Sequence, residues 1–285
     1  MTKEENIIDV KKIVEERKDE LRDKISLLKE KGIFPKLSVI IANNEESSKS
    51  YVKNKRKICE ELGILYEDYF LKEDATTEDV LKLVYSLNND ASVHAILVQL
   101  PLFKHLNESI ILDAILPSKD VDGFTTTNLG KLFASNEYVL PCTPKGIISI
   151  LESVGETFVG KHAVVVGRSN IVGKPVAQLL LNKSCTVTMC HSRTVDLEKY
   201  TKDADILVVA VGKAGIITGD MVKAGSTVID VGINRVDGKL VGDVDTESVS
   251  NVAKCVTKVP GGVGLTTVLS LVENVVELIE KSDLN

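Results

Sequence analysis

Between Lys49 and Lys57 the chain reads K-S-Y-V-K-N-K-R-K, five basic residues in nine with one tyrosine among them. A run of this kind is ordinarily a solvated helix face, and in some proteins a nucleic-acid patch. Helical phase separates its members. With Tyr51 at zero, Lys55 falls at about 40°, Ile58 at about −20° and Leu62 at about 20°, so these four share one stripe. Lys49, Lys53 and Lys57 fall on the far side, at about 160°, 200° and 240°, and belong to solvent. A lysine beside a tyrosine on an inward stripe has two readings. Its stem covers apolar surface while the amine reaches water, or the amine is partly desolvated and suited to proton transfer.

Two further polar residues stand where ligands collect. Gln99 and Leu100, in V-Q-L-P-L, follow the apolar run H-A-I-L-V at its carboxyl end. An uncharged amide there suits a substrate, and equally a loop cap. Asp122, in D-V-D-G, is a loop carboxylate available to a cationic or amide N–H ligand, or an Asx-turn before Gly123.

A second constellation lies in K-H-A-V-V-V-G-R-S-N-I-V-G-K-P (161–175), a strand, a glycine-bearing turn and a helix start. Gly167 lets a backbone or ligand approach closely. Gly173 and Pro175 open a helix whose N-terminus offers N–H groups and a positive dipole end to a phosphate. The spacing G-x-x-x-x-x-G departs from the usual dinucleotide fingerprint, but the strand–turn–helix context is retained. After the next strand, T-V-T-M-C, the loop H-S-R-T carries no acid for a ribose hydroxyl. Ser192, Arg193 and Arg168 instead suit a 2′-phosphate, which favours NADP over NAD; Arg193 also fits an ordinary surface arginine. Gly212 and Gly232 end two later strands and border the cofactor if one binds, with Ile233 near its nicotinamide ring. A tight turn is the other reading of both glycines.

These residues need elements to hold them. Helix-period or strand-like runs are expected as a helix over 4–31 stopping at Gly32, a strand over 37–42, a helix over 47–62, a strand over 64–71, a helix over 77–88, a strand over 94–98 and a short helix near 107–115. A loop-rich stretch over 120–144 marks a domain crossing. A helix over 145–154 then leads to strands at 161–167, 186–190, 205–211, 227–232 and 254–259, and P-G-G-V-G (260–264) opens a last helix reaching about Lys281. Strands alternating with helices imply parallel α/β sheets.

Bulk properties narrow the partners. The 285 residues, 44% apolar and 27% charged, suffice for two ordinary domains. A net charge of −6 argues against general nucleic-acid binding. Five scattered cysteines and four histidines show no metal-ligand spacing, so no metal and reduced thiols are expected. A charged N-terminus and no long apolar run predict a cytoplasmic protein with no membrane partner.

Six motifs occur in one order across residues 50–264: S-Y-V-K-N-K, V-Q-L-P-L, K-D-V-D-G-F, P-C-T-P-K-G, V-V-G-R-S-N-I-V-G-K-P and V-P-G-G-V-G. In them the chain resembles the bifunctional methylenetetrahydrofolate dehydrogenase/methenyltetrahydrofolate cyclohydrolase family. The resemblance implies two α/β domains flanking a cleft: a folate-binding domain (1–140, completed by the helix 265–285) and a Rossmann-like NADP domain (141–264). It implies oxidation of 5,10-methylenetetrahydrofolate with NADP⁺, then hydrolysis to 10-formyltetrahydrofolate, in a homodimer formed through the NADP domain. Lys55 would be the general acid/base, oriented by Gln99. Tyr51 would stack on the aminobenzoate, Asp122 would hold the pterin, and Leu100, Pro260, Gly261 and Gly262 would line the folate site. Gly167, Arg168, Ser169, Gly173, Ser192, Arg193, Gly212, Gly232 and Ile233 would meet NADP.

The family usually continues V-P-G-G-V-G with Pro-Met-Thr, where this chain has Leu265-Thr266-Thr267. Loss of that proline loosens a φ constraint near the folate site. A dehydrogenase without the hydrolytic step and a binding protein without turnover are the competing readings. Lys55 argues against the first, since hydride transfer needs no proton shuttle.

Overall fold

A computed structural model describes residues 6–282, without the side chains at 46, 47, 49 and 50, so the solvent placement of Lys49 lies outside the described residues. In chain order the first half contains α1 (Val10–Glu30), β1 (Lys36–Ile41), α2 (Glu46–Leu62), β2 (Leu65–Phe70), α3 (Thr77–Asn89), β3 (Ala95–Gln99), α4 (Glu108–Asp113) and α5 (Thr126–Phe133). It continues with α6 (Cys142–Ser153), β4 (His162–Val166), α7 (Gly173–Asn182), β5 (Thr186–Cys190), α8 (Leu197–Thr201), β6 (Ile206–Val209) and β7 (Thr227–Asp230). Last come β8 (Asn234–Val236), β9 (Lys239–Val241), α9 (Thr246–Ser250), β10 (Cys255–Val256) and α10 (Val263–Ser282).

The chain forms two compact units. One comprises Glu16–Cys142 and the stretch from Val268 onward. Its three strands lie parallel in the order β2-β1-β3, with Ile41 beside Gln99, so the carboxyl ends of β1 and β3 adjoin. Every residue of β3 is buried, which is why A-I-L-V carries no polar alternation. Val80 and Val84 of α3 pack with Ile40, Ile96 and Val98 in one core. The amide of Asn274 in α10 donates to the carbonyls of Val121 and Leu140, each at 2.8 Å, and ties the last helix to this unit.

The other unit comprises the described residues up to Glu15 together with Thr143–Thr267. Its five strands are parallel in the order β10-β7-β6-β4-β5, with Val164, Val166, Leu207, Val209, Val228 and Val256 on one packed face. The first strand of the unit, β4, sits between the second and the third, so the order reverses between β4 and β6. Ligands of open α/β sheets settle in the crevice at such a reversal, outside the carboxyl ends of the strands.

The structure departs from the sequence pattern in three places. Residues 6–8 run beside β10, with the Ile8 N–H on the Val256 carbonyl and the Val256 N–H on the Asn6 carbonyl, both at 2.9 Å. Backbone pairing therefore places them beside the second unit's sheet and outside the helix expected over 4–31, which begins at Val10. The stretch expected as loop over 120–144 contains α5. Its Thr-Thr-Asn start is poor helix material, but Thr125 caps it by accepting from the Asn128 N–H at 3.2 Å. Residues 234–241, for which the sequence pattern predicts no element, form a β-hairpin turning at Asp237-Gly238, a pair suited to two successive positive φ angles.

Candidate active site

Helix α2 brings Lys55 inward. Lys55 is 9% exposed, whereas Lys53 and Lys57 are exposed, the separation that helical phase predicts. Gln99, the last residue of β3, is also 9% exposed. The Lys55 Nζ donates to Gln99 Oε1 at 3.0 Å, and Gln99 Nε2 donates to the Leu100 carbonyl at 2.7 Å. The carboxamide is thus fixed with its oxygen toward the amine. Tyr51, one turn before Lys55, is half-buried, and burial pushes its phenol pKa up. A neutral phenol and a hydrogen-bonded amine on one helix face can bind a flat heterocycle and move a proton beside it.

Asp122 takes no part in that hydrogen bond. It is half-buried in the turn between α4 and α5, between a fixed Val121 and a buried Gly123. The Val121 carbonyl accepts from Asn274, and a Cβ at Gly123 would lie 3.1 Å from the Pro141 nitrogen. The neighbouring Asp120 is the deeper acid. It accepts from the Phe124 N–H (3.2 Å), the Thr125 N–H (2.9 Å) and the Asn128 amide (2.9 Å). Burial, partly offset by these bonds, raises its pKa. Sequence reasoning passed over Asp120, although D-V-D-G offered two acids.

In the second unit, Gly167 ends β4 at φ +132°, and a Cβ there would lie 2.3 Å from the Ala210 carbonyl oxygen at the tip of β6. A Cβ at Gly173 would come just as close to the Gly167 carbonyl oxygen, at 2.4 Å. The two glycines close the crevice at the strand reversal. The N–H groups at the start of α7, expected to stand open, are partly taken. Ser169 Oγ accepts from the Val172 and Gly173 N–H groups at 3.2 Å, and the Lys174 N–H goes to the Ser169 carbonyl. Ser169 keeps its own O–H to donate.

Gly167 N–H bonds the Cys190 carbonyl at 2.9 Å, so the tips of β4 and β5 are adjacent. Arg168, Ser192 and Arg193 leave those tips exposed. The loop is a closed turn, with the His191 N–H on Thr194 Oγ1 (2.8 Å) and the Arg193 N–H on His191 Nδ1 (3.2 Å). Such a tip, with two guanidiniums, a hydroxyl and no carboxylate up to Asp196, fits a phosphorylated ribose. Ile233 is 45% exposed after β7. The Gly212 N–H, in contrast, is held by Asp243.

Pro260 follows a cis peptide, Gly261 has φ +99°, and a Cβ at Gly262 would lie 2.4 Å from the Lys258 carbonyl oxygen. The Leu265 N–H donates to the Gly262 carbonyl at 3.0 Å, a bond a proline there could not make. Thr266 is buried against Gly146, whose added Cβ would meet its Oγ1 at 2.6 Å. Among the described residues, no three His, Cys, Asp or Glu side chains gather to hold a metal, and no helix is long and apolar enough to cross a membrane.

A sheet reversal with a phosphate-fitting tip, and a second α/β unit with a buried amine–amide pair, define a protein of the two-domain α/β class with an NAD(P)-binding domain. Residues 8–122 match the catalytic domain of tetrahydrofolate dehydrogenase/cyclohydrolase, and residues 141–283 match its NAD(P)-binding domain. The chain belongs to the tetrahydrofolate dehydrogenase/cyclohydrolase family. The bifunctional protein FolD of Exiguobacterium sibiricum is 49% identical, over 95% of this chain and 98% of its own. The structure of the bifunctional FolD methylenetetrahydrofolate dehydrogenase/cyclohydrolase from Campylobacter jejuni superposes with a TM-score of 0.94 at 47% identity, covering 96% of this chain and 98% of that one. That of the Trypanosoma brucei enzyme, complexed with NADP cofactor and inhibitor, gives 0.94 at 36% identity over 98% of both.

Proposed function

We propose that this protein is a bifunctional one-carbon folate enzyme. It oxidises 5,10-methylenetetrahydrofolate to the methenyl form and hydrolyses that to 10-formyltetrahydrofolate. The observation that carries the hydrolytic half is the 3.0 Å bond from the buried Lys55 amine to Gln99. Water adding to the methenyl carbon must lose a proton, and a folate nitrogen must gain one as the ring opens. Lys55 takes and returns that proton, with Gln99 holding its Nζ in place. Tyr51 stacks on the aminobenzoate, Asp122 accepts from the pterin N–H groups, and Leu100 and Pro260-Gly261-Gly262 line the folate. Hydride transfer alone needs no proton shuttle, so a buried, hydrogen-bonded Lys55 favours the bifunctional reading.

The dinucleotide is NADP. Bound at the strand reversal, it accepts the hydride from the methylene carbon. Arg168, Ser192 and Arg193 hold the 2′-phosphate, Ser169 donates its O–H to the pyrophosphate, and Gly167, Gly173, Gly212, Gly232 and Ile233 shape the bed. The folate domain comprises residues 1–140 with the last helix, less the first segment paired with β10. The family resemblance supports a cytoplasmic homodimer formed through the NADP domain, which sedimentation of the purified protein will test.

Incubation with 5,10-methylenetetrahydrofolate and NADP⁺ tests the whole reading. NADPH forms, and methenyl absorbance rises transiently and decays faster than in buffer. Methenyl that only accumulates would reduce the protein to a dehydrogenase, and no NADPH would defeat both halves.

A further inference from the structure

Two buried acids have no part in the chemistry above. Asp230 ends β7 and Asp243 follows β9; both are fully buried. Asp243 Oδ2 accepts from the N–H groups of Val211 (2.7 Å) and Gly212 (2.9 Å). Its Oδ1 accepts from the Lys213 N–H (2.8 Å) and the Asn234 amide (2.9 Å). Three successive backbone N–H groups form a concave cradle for an anion, and here a carboxylate of the chain itself fills it. Asp230 does the same for the other strand tip, accepting from Gly232 and Asp243 on Oδ1 and Val244 on Oδ2, each at 3.0 Å.

The two acids interlock through glycines. A Cβ at Gly232 would lie 2.1 Å from the Asp243 carboxylate, and one at Gly242 would lie 1.7 Å from Asp230 Oδ2. Each acid therefore stands where the other's strand has no side chain. The result joins the turn after β6, the turn after β7 and the β8–β9 hairpin into one bonded block, at the carboxyl ends of two strands beside the crevice.

We propose that Asp243 is a positioning residue for the dinucleotide site, setting the 211–213 turn and, through Asn234, the segment that carries Ile233. This rests on the dinucleotide reading. It also means that the 211–213 N–H groups bind no phosphate. Phosphates are met only at 167–173 and 192–193, while the turn after β6 walls the cofactor by shape.

Both oxygens are required as acceptors. All four acceptor directions of Asp243 are used by donors, and an asparagine would set an NH₂ against at least one N–H group in either flip. Asp243→Asn is expected to raise the KM for NADP⁺ by about tenfold, with little change in the KM for methylenetetrahydrofolate. Hydrolysis of added methenyltetrahydrofolate, which turns on Lys55 of the other unit and uses no dinucleotide, reports that the variant is intact. The exchange D243N/N234D gives the new amide an acceptor and recovers part of the loss, which a general loss of stability would not do. If D243N does not fold, Asn234→Ala removes one donor from a half-exposed position and is expected to raise the same KM by about threefold. An unchanged NADP⁺ KM in a folded D243N or in N234A overturns the proposal. A wild-type protein that reduces no NADP⁺ overturns the dinucleotide reading beneath it instead.

Discussion

Lys55 and Lys53 differ by two positions and by nearly half a turn of helix, and this alone gives one a partner and the other water. The amine of Lys55 is buried with the Gln99 oxygen at 3.0 Å, and a charged or neutral amine in that place is costly without such an acceptor. Gln99→Leu leaves the amine without it and lets the side chain swing from its position. Hydrolysis of methenyltetrahydrofolate should fall by about a hundredfold, with the dehydrogenase step much less affected. Equal loss of both activities would point to a damaged fold rather than a lost proton-transfer geometry. The Lys55 and Gln99 positions were legible in the sequence, one from helical phase and the other from its place at a strand end. Their pairing came from the family resemblance alone; phase and position do not give it, because it depends on how α2 packs against the sheet.

At the scale of elements, regular patterns were readable and local polar closures were not. The strands and longer helices follow apolar runs and periodicity, and Gly63 caps α2 in the left-handed conformation as its position suggests. Helix α5 escaped because its start depends on the Asp120 carboxylate and the Thr125 hydroxyl, which act across three to eight residues. Asp120→Ala should therefore destabilise the folate unit by about 1–3 kcal/mol, read as a lower urea midpoint at an unchanged slope. The hairpin escaped although Asp237-Gly238 signalled it, because its strands are short and exposed. Nothing in the sequence singles out Asp243, and only the folded chain shows four donors converging on it.

Asp230 makes a second prediction at this scale. Burial pushes its carboxyl up to about 6, against the pull of three backbone N–H groups. The folded chain thus binds this proton more tightly than the unfolded chain does. Its contribution to stability is fully present below pH 3.8 and is lost as pH rises through about 6. Asp230→Asn should remove that contribution, so the wild-type minus variant difference in unfolding free energy should decline from pH 4 to pH 7. A difference that stays flat, or grows with pH, would contradict the assigned burial effect.

For the whole molecule, a net charge of −6 leaves cation-rich ligand sites as local features, and the exposed Arg168 and Arg193 on adjacent strand tips are one such feature. A ligand that binds only the folded state stabilises it by mass action. NADP⁺ at about 100 times its Kd should contribute about 2.7 kcal/mol, seen as a raised denaturation midpoint. NAD⁺ at the same concentration should shift it less, and equal shifts would count against a 2′-phosphate site at these arginines. The departure at Leu265-Thr266 also belongs to this scale. The chain has replaced a proline constraint by a Leu265 N–H bond and a Thr266–Gly146 contact, so the segment remains fixed by other means.

The most direct measurement compares Lys55→Met with Lys53→Met in the hydrolysis of methenyltetrahydrofolate. The account predicts that K55M loses the activity while still binding folate, and that K53M keeps it. Equal damage from both substitutions, or hydrolysis retained by K55M, would contradict it.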